Sequence, residues 1–238
     1  MIGVVVPAHD EAAHIGSCLA AIGHAARCPA LRGESVVVVV AADRCRDRTV
    51  AIAEACGVHV VVADGGNVGS ARAAGMRAVI AAGADWLATT DADSTVPADW
   101  LSAQRACGAD AFCGMVAVAD WCDFAADVQH AHARAHPACD GHRHVHGANL
   151  GVATAAYLAC GGFRPLAAHE DVALVRDLEA IGARIVRRAA PVVLTSARRA
   201  ARAQGGFADY LLSLEARLRA VAASQDAGAA LTGVAHGA

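Results

Sequence analysis

The sequence predicts an α/β protein built on a doubly wound, mostly parallel sheet, and three observations predict it. Short valine-rich runs alternate with segments of helical periodicity from the first residues to about residue 90. The run Ser35–Ala42 (SVVVVVAA) is apolar at successive positions, as a central strand covered by helices on both faces must be. The chain is 56% hydrophobic but only 4% aromatic, so its core is made of Val, Ala and Leu rather than rings.

The elements follow in order. Ile2–Val6 is a first strand ending at Pro7, and Glu11 to about Ala26 is a helix with Ile15, Leu19 and Ile22 on one stripe. After the second strand comes a helix over Thr49–Cys56, a third strand over Val58–Ala63 and a helix over Gly69–Ala82. Trp86–Thr90 is a fourth strand running into Asp91. Such close-spaced β-α repeats imply right-handed parallel crossovers. Beyond a fifth strand at Phe112–Ala119 the alternation weakens. Asp123–Ala135 reads as helix, 136–148 as a histidine-laden loop, Asn149–Leu158 as helix and Glu170–Ile181 as an amphipathic helix. Ile185–Val186 and Val192–Leu194 read as short late strands. A last helix carries Phe207, Tyr210, Leu211, Leu214 and Leu218 on one face, and the tail from about Ser224 is expected to fray.

Length and the lack of repeats or linkers point to one domain over 1–223, with a first half over 1–110, a second over 111–205, a final helix over 206–223 and a flexible tail over 224–238. The net charge of −3 argues against nucleic acid as a partner. No lysine occurs, so all 20 basic residues are arginines, which excludes P-loop nucleotidase chemistry. Nine scattered cysteines without a Cys-x-x-Cys pair read as buried free thiols in a reducing compartment. No apolar run approaches the ~20 residues that span a bilayer. A cytoplasmic protein is expected, with peripheral membrane contact left open.

Ligands of parallel sheets bind at the carboxyl ends of the strands. Four strand ends here carry acidic clusters: Pro7 to Glu11 (PAHDE), Asp43 to Arg48 (DRCRDR), Asp64 to Gly69 (DGGNVG) and Asp91 to Asp93 (DAD). Asp91 and Asp93 suit Mg²⁺ or Mn²⁺, hard cations that take carboxylate oxygens and leave room for a diphosphate. The stretch DADST also fits an aspartyl phosphatase with Asp91 as nucleophile, although that chemistry lacks its usual lysine here. The glycine-rich DGGNVG opens a helix towards a phosphate but lacks the full dinucleotide fingerprint. Glu170 and Asp171 at a helix start read either as helix capping or as a general base with a partner carboxylate. Six histidines within residues 130–146 are open to a transition-metal site or a solvated loop. Arg198, Arg199 and Arg202 have the planar forks to clamp a diphosphate.

The segments VVVPAHDEAAHIGSCLAAI, VVAADRCRDRTVAIA, GGNVGSARAAG, TTDADSTVPADWL, HGANLGVATAAYLACGGF and HEDVALVRDLEAIGARIV, in that order, resemble the family 2 glycosyltransferases of the GT-A fold over residues 2–187. The resemblance implies a Rossmann-like sheet whose first half binds a nucleotide sugar and whose smaller second half faces the acceptor. It implies that Pro7, His9 and Glu11 line the nucleotide pocket, that Asp43 meets the base, and that Gly69 and Arg72 flank the nucleotide. Asp91 would sit near the ribose and Asp93 would hold a divalent metal on the diphosphate of a UDP- or GDP-sugar. Asp171, with Glu170 beside it, would be the base of an inverting transfer, and Asn149 and His146 would face the acceptor. Two departures stand out: Thr195–Gly206 holds no late histidine ligand, and no membrane helices follow residue 218. The second favours a single transfer to a small or lipid-linked acceptor. A non-catalytic nucleotide-sugar-binding protein is the remaining alternative, and the last helix is also open to homodimerisation.

Overall fold

The computed structural model describes residues 1–121, 124–199 and 205–233. They form two compact units, one of residues 1–119 with 138–196 and one of 120–137 with 197–238. The strands are β1 (Ile2–Ala8), β2 (Val36–Asp43), β3 (His59–Ala63), β4 (Trp86–Thr89), β5 (Ala111–Asp120), β6 (Leu150–Ala153) and β7 (Ile185–Ser196). They make one sheet in the order β3-β2-β1-β4-β6-β5-β7. The β1–β2, β1–β4 and β2–β3 pairs are parallel, whereas β6 runs antiparallel to both β4 and β5.

Alternation along the strands builds a core on each face. Ile2, Val4, Val6 and Val40 pack with Ile15, Leu19 and Ile22 of helix α1 (Ile15–Ala25). Val5 and Val39 point the other way, towards Met76 and Val79 of α3 (Val68–Ala81) and Leu174 and Leu178 of α7 (Glu170–Ala180). The doubly wound, mostly parallel sheet expected from the valine runs is therefore present. Between these helices come α2 (Thr49–Ala55), α4 (Trp100–Arg105), α5 (Ala126–Ala135) and α6 (Thr154–Ala159), and α8 (Phe207–Gly233) closes the described chain.

Three elements differ from the sequence reading. Asn149–Leu158 is not one helix: a 3₁₀ turn over Gly147–Asn149 leads into β6, and only then does α6 begin. Four residues, LGVA, are too few to show a period, and they are strand because both β4 and β5 offer backbone partners. The two short late strands are one continuous strand, β7, across the cis Ala190–Pro191 bond. Helix α4 escaped notice because its single apolar turn, Trp100 and Leu101, is fully buried and adds no stripe to read.

In the second unit, α5 packs on α8. The His132 ring stacks on His136 at 4.3 Å between centroids and meets Trp121, Phe207 and Tyr210 edge-on at 5.4, 5.6 and 5.8 Å. No described helix is long and apolar enough to cross a membrane. The eight described cysteines are free thiols, but only Cys18 and Cys113 are buried, and Cys56 and Cys139 are exposed.

Candidate active site

Loops at the carboxyl ends of β1, β2 and β3 are stitched together by backbone N–H groups and carboxylates. Asp10 Oδ1 accepts from the Arg46 and Asp47 amides at 2.6 and 3.2 Å, and these bonds, the Arg46 one foremost, hold its carboxyl below the usual range. Asp47 Oδ2 accepts from the Ala12 amide at 2.9 Å, and the Glu11 amide donates to Thr49 Oγ1 at 2.7 Å. One His9 ring nitrogen lies 2.7 Å from the Asp43 carbonyl, and Asp43 Oδ1 accepts from the Gly66 amide at 3.1 Å. Asp10 and Arg44 sit at φ 52°, the left-handed region that side chains avoid. Such strain persists only where surrounding bonds over-determine the backbone, and it clusters at functional sites.

The loop after β4 joins this rim. Cys18 Sγ donates to the Asp91 carbonyl at 3.3 Å. Burial pushes the Cys18 thiol up, and the negative charges of Asp91, Asp93 and Glu11 add to the effect. Carboxylates from the β1 and β4 loops thus share one electrostatic neighbourhood above Cys18. Thr95 pairs with Leu194 of β7 through bonds of 2.7 and 3.0 Å, while Ser94 Oγ meets Thr195 Oγ1 at 3.1 Å. The DADST loop is pinned from both sides.

On the other side stands the start of α7. His169 takes φ 61° at its N-cap, and Glu170 and Asp171 fill the first turn. Asp171 is half-buried; its Oδ2 accepts from the Gly147 amide at 2.7 Å and its Oδ1 from the Val172 amide at 2.8 Å. Glu170 is buried, which raises its carboxyl against the opposing pull of Arg72.

Arg72 lies between these groups. Its Nη2 donates to Asp91 Oδ1 at 2.5 Å, its Nε to Glu170 Oε1 at 3.0 Å, and its Nη1 to the Gly147 carbonyl at 3.1 Å and to Thr89 Oγ1. Burial opposes its charge, but Asp91, Glu170 and Asp171 more than offset this and hold its pKa above the ordinary value. One cation thus faces three carboxylates, and the rim keeps an excess of negative charge.

The expected site residues separate accordingly. His9, Glu11, Asp91 and Asp93 lie on the strand-end loops, Asp43 is the last residue of β2, and Glu170 and Asp171 open α7. Pro7 is buried within β1 opposite Ala41. Arg72 was expected to flank a nucleotide, but its side chain is only 3% exposed and is surrounded by protein acceptors. Gly69, also expected there, lies beneath the 164–166 segment: its amide donates to the Leu166 carbonyl at 3.1 Å, and a Cβ would stand 2.0 Å from the Arg164 carbonyl. With the Ser70 amide capped by Asn67, the start of α3 is closed by protein rather than open to a phosphate. Gly69→Ala is accordingly expected to cost about 1–3 kcal/mol by overpacking; calorimetry checks this, and an unchanged melting temperature would mean that the 164–166 segment yields freely.

Asn149 requires a correction too. It is fully buried rather than facing an acceptor: its Nδ2 donates to the Met115 and Pro191 carbonyls at 2.9 and 2.8 Å, and its Oδ1 accepts from Trp100 Nε1 at 2.9 Å. Of the loop histidines, 130, 132 and 136 belong to the second unit and 142, 144 and 146 to the first. His142, His144 and His146 stack in a row at 5.8 and 6.1 Å, and His146 is half-buried beside Gly147. Arg198 belongs to the second unit, and Arg202 lies outside the described residues. Arg199 grips both Glu215 oxygens at 3.0 and 2.8 Å and stacks over Phe124, so its fork is held by protein.

Among the described residues no group of three or more His, Cys, Asp or Glu side chains is arranged to hold a metal ion. Asp91 and Asp93 nevertheless fit one as a partial cradle. Arg72 engages a single Asp91 oxygen, Asp93 is half-buried two residues on, and both offer the hard oxygens that Mg²⁺ and Mn²⁺ prefer. The negative excess of this rim repels a bare diphosphate, which a divalent cation between them would relieve.

Sequence reasoning gave no role to Thr89 or Gly147, because a buried threonine carries no spacing signal and Gly147 stands out only within a short motif. It also missed Trp100, whose position after the Asp-x-Asp segment was readable but whose partner was not.

A family model described as Glycosyl transferase family 2 matches residues 3–132. Among curated proteins, none matches the sequence. Solved structures share the fold. The 1–349 portion of S. aureus TarS, in complex with UDP-GlcNAc, aligns with 87% of this chain and 61% of its own at 15% identity and a TM-score of 0.64. The mannosyltransferase PcManGT from Pyrobaculum calidifontis, with GDP-Man and Mn²⁺, aligns with 98% of this chain and 79% of its own at 17% identity and 0.59. Glucosyl-3-phosphoglycerate synthase from Mycobacterium tuberculosis, with Mn²⁺, UDP and phosphoglyceric acid, gives 79% and 68% at 18% identity and 0.54. The chain spans about three fifths of the TarS portion, and at these identities the likeness is one of fold.

Proposed function

The chain belongs to glycosyl transferase family 2, and from that premise we propose that it moves a sugar from a nucleoside-diphosphate donor to a hydroxyl acceptor at the rim described above. The observation that carries this reading is that Asp91 at the end of β4 and Glu170 at the start of α7 bond one buried arginine, which also feels the charge of Asp171. A donor diphosphate lies on the Asp91–Asp93 side, and the sugar points towards α7. A UDP- or GDP-sugar is favoured because proteins of the same fold were solved with UDP-GlcNAc and with GDP-Man.

The proposed chemistry is a single inverting displacement. The acceptor oxygen forms a bond to the anomeric carbon as Asp171 takes its proton. The bond from that carbon to the diphosphate oxygen breaks, and its electron pair leaves with the nucleoside diphosphate. Attack opposite the leaving group inverts the anomeric centre. Asp171 suits the role of base because its oxygens are aimed by two backbone amides, whereas Glu170 is buried and bonded to Arg72. Mg²⁺ or Mn²⁺ held by Asp91 and Asp93 would supply neutralisation of the charge on the leaving diphosphate.

A thermal-shift panel of UDP- and GDP-sugars, with and without Mn²⁺, tests the reading. One donor is expected to raise the melting temperature in a Mn²⁺-dependent way, and Asp93→Ala to remove most of that shift. A metal-dependent shift that survives Asp93→Ala would place the cation elsewhere. No shift with any donor would sink the reading itself.

A further inference from the structure

We propose that Arg72 is a positioning residue that locks the donor-side carboxylate Asp91 and the α7 carboxylates into one rigid unit, rather than a contact to the nucleotide. The proposal rests on the glycosyltransferase reading of the site. A guanidinium has five N–H donors in a fixed plane. Here those donors reach four acceptors on three separate segments: Thr89 and Asp91 at the end of β4, the Gly147 carbonyl before β6, and Glu170 on α7. The Phe163 ring lies 5.8 Å from its central carbon, and the side chain is only 3% exposed. Almost none of its surface is left for a ligand.

Gly147 is the second half of the device. Its carbonyl accepts from Arg72 while its amide donates to Asp171 Oδ2, so one residue joins the cation to the proposed base. A Cβ at Gly147 would stand 2.5 Å from Arg72 Nη2 and 2.9 Å from its central carbon. Only a glycine lets the guanidinium come this close. Any displacement of Arg72 therefore moves Asp91 directly and Asp171 through Gly147, on opposite sides of the reacting bond. Lysine keeps the charge but presents a compact head on a flexible stem, which does not span four acceptors in a plane.

The experiment compares wild type, Arg72→Lys, Gly147→Ala and the double variant. Transfer is measured with the donor that shifts the wild type, and UDP and GDP binding is measured by calorimetry with and without Mn²⁺. Arg72→Lys and Gly147→Ala are each expected to lower kcat by about 10²-fold, the scale of an ångström-level misplacement. Metal-free nucleoside-diphosphate affinity should stay within about threefold, since neither residue touches the nucleotide, whereas the gain that Mn²⁺ brings should shrink as Asp91 shifts. The double variant should match Arg72→Lys, because the atoms that a Gly147 methyl obstructs are then absent. Gly147→Ala retains every hydrogen-bonding group, so it carries the test even where Arg72→Lys lowers stability. Metal-free affinity falling in step with kcat in Arg72→Lys would make Arg72 a donor contact and overturn the proposal, and so would an unchanged kcat in both single variants. Wild type that neither binds nor transfers any donor fails the glycosyltransferase reading and the proposal with it.

Discussion

Asp171→Asn is expected to lower the rate of sugar transfer by about 10²–10⁴-fold, the usual contribution of a positioned general base. An amide cannot accept the acceptor's proton. Its effect on the fold is smaller. Asp171 accepts one backbone amide on each oxygen, and asparagine offers only one accepting oxygen, so either the Gly147 or the Val172 amide loses its partner. For a half-buried group that costs about 1 kcal/mol, and losing the negative charge at the helix start adds about 0.3–1 kcal/mol. The catalytic loss corresponds to about 3–5 kcal/mol of barrier, at 1.36 kcal/mol per tenfold. Activity should therefore fall far more than stability. Single-turnover transfer, with nucleoside-diphosphate affinity measured alongside, checks this. A variant within tenfold of wild type would rule out Asp171 as the base, and Glu170 is poorly placed to replace it because Arg72 already holds its carboxylate.

Asn149→Ala should act in the opposite way, on stability first. The substitution leaves three buried groups without their partner: the Met115 carbonyl, the Pro191 carbonyl and the Trp100 indole N–H. Each unmet group costs about 1–3 kcal/mol, less where water or relaxation reaches it. A loss of about 3 kcal/mol or more is expected, which denaturant unfolding reads as a fall in the midpoint at constant slope. Gly114 sharpens the expectation, since a Cβ there would lie 2.2 Å from Asn149 Nδ2; the amide is packed against backbone as well as bonded to it. Full stability with impaired transfer would restore Asn149 to the acceptor side.

The parallel core was legible because burial leaves a period in sequence. A strand covered on both faces must be apolar at every position, and SVVVVVAA states this openly in β2. The stripe Ile15, Leu19 and Ile22 marks α1 equally well. β6 was not legible, because four residues carry no period and their state depends on two distant partners, β4 and β5. The candidate site divides along the same line. Asp91, Asp93, Glu170 and Asp171 stand out as carboxylates at the ends of strands or the start of a helix, where charge is exposed unless used. Arg72 entered only through the family resemblance, as a flank to the nucleotide. Gly147 was visible only as part of a short motif.

Sequence alone determined the βα order, the valine core, the acidic rim and the family resemblance, since each of these is written in local composition and spacing. Tertiary structure alone decided that Arg72 is buried among Asp91, Glu170, Thr89 and Gly147, and that Asn149 braces Trp100 instead of meeting a ligand. The physical reason is that a polar side chain is either solvated or fully partnered inside, and its sequence neighbours do not reveal which. Arg72 and Glu170 meet across ninety-eight positions, and only the fold brings the cation to its carboxylates.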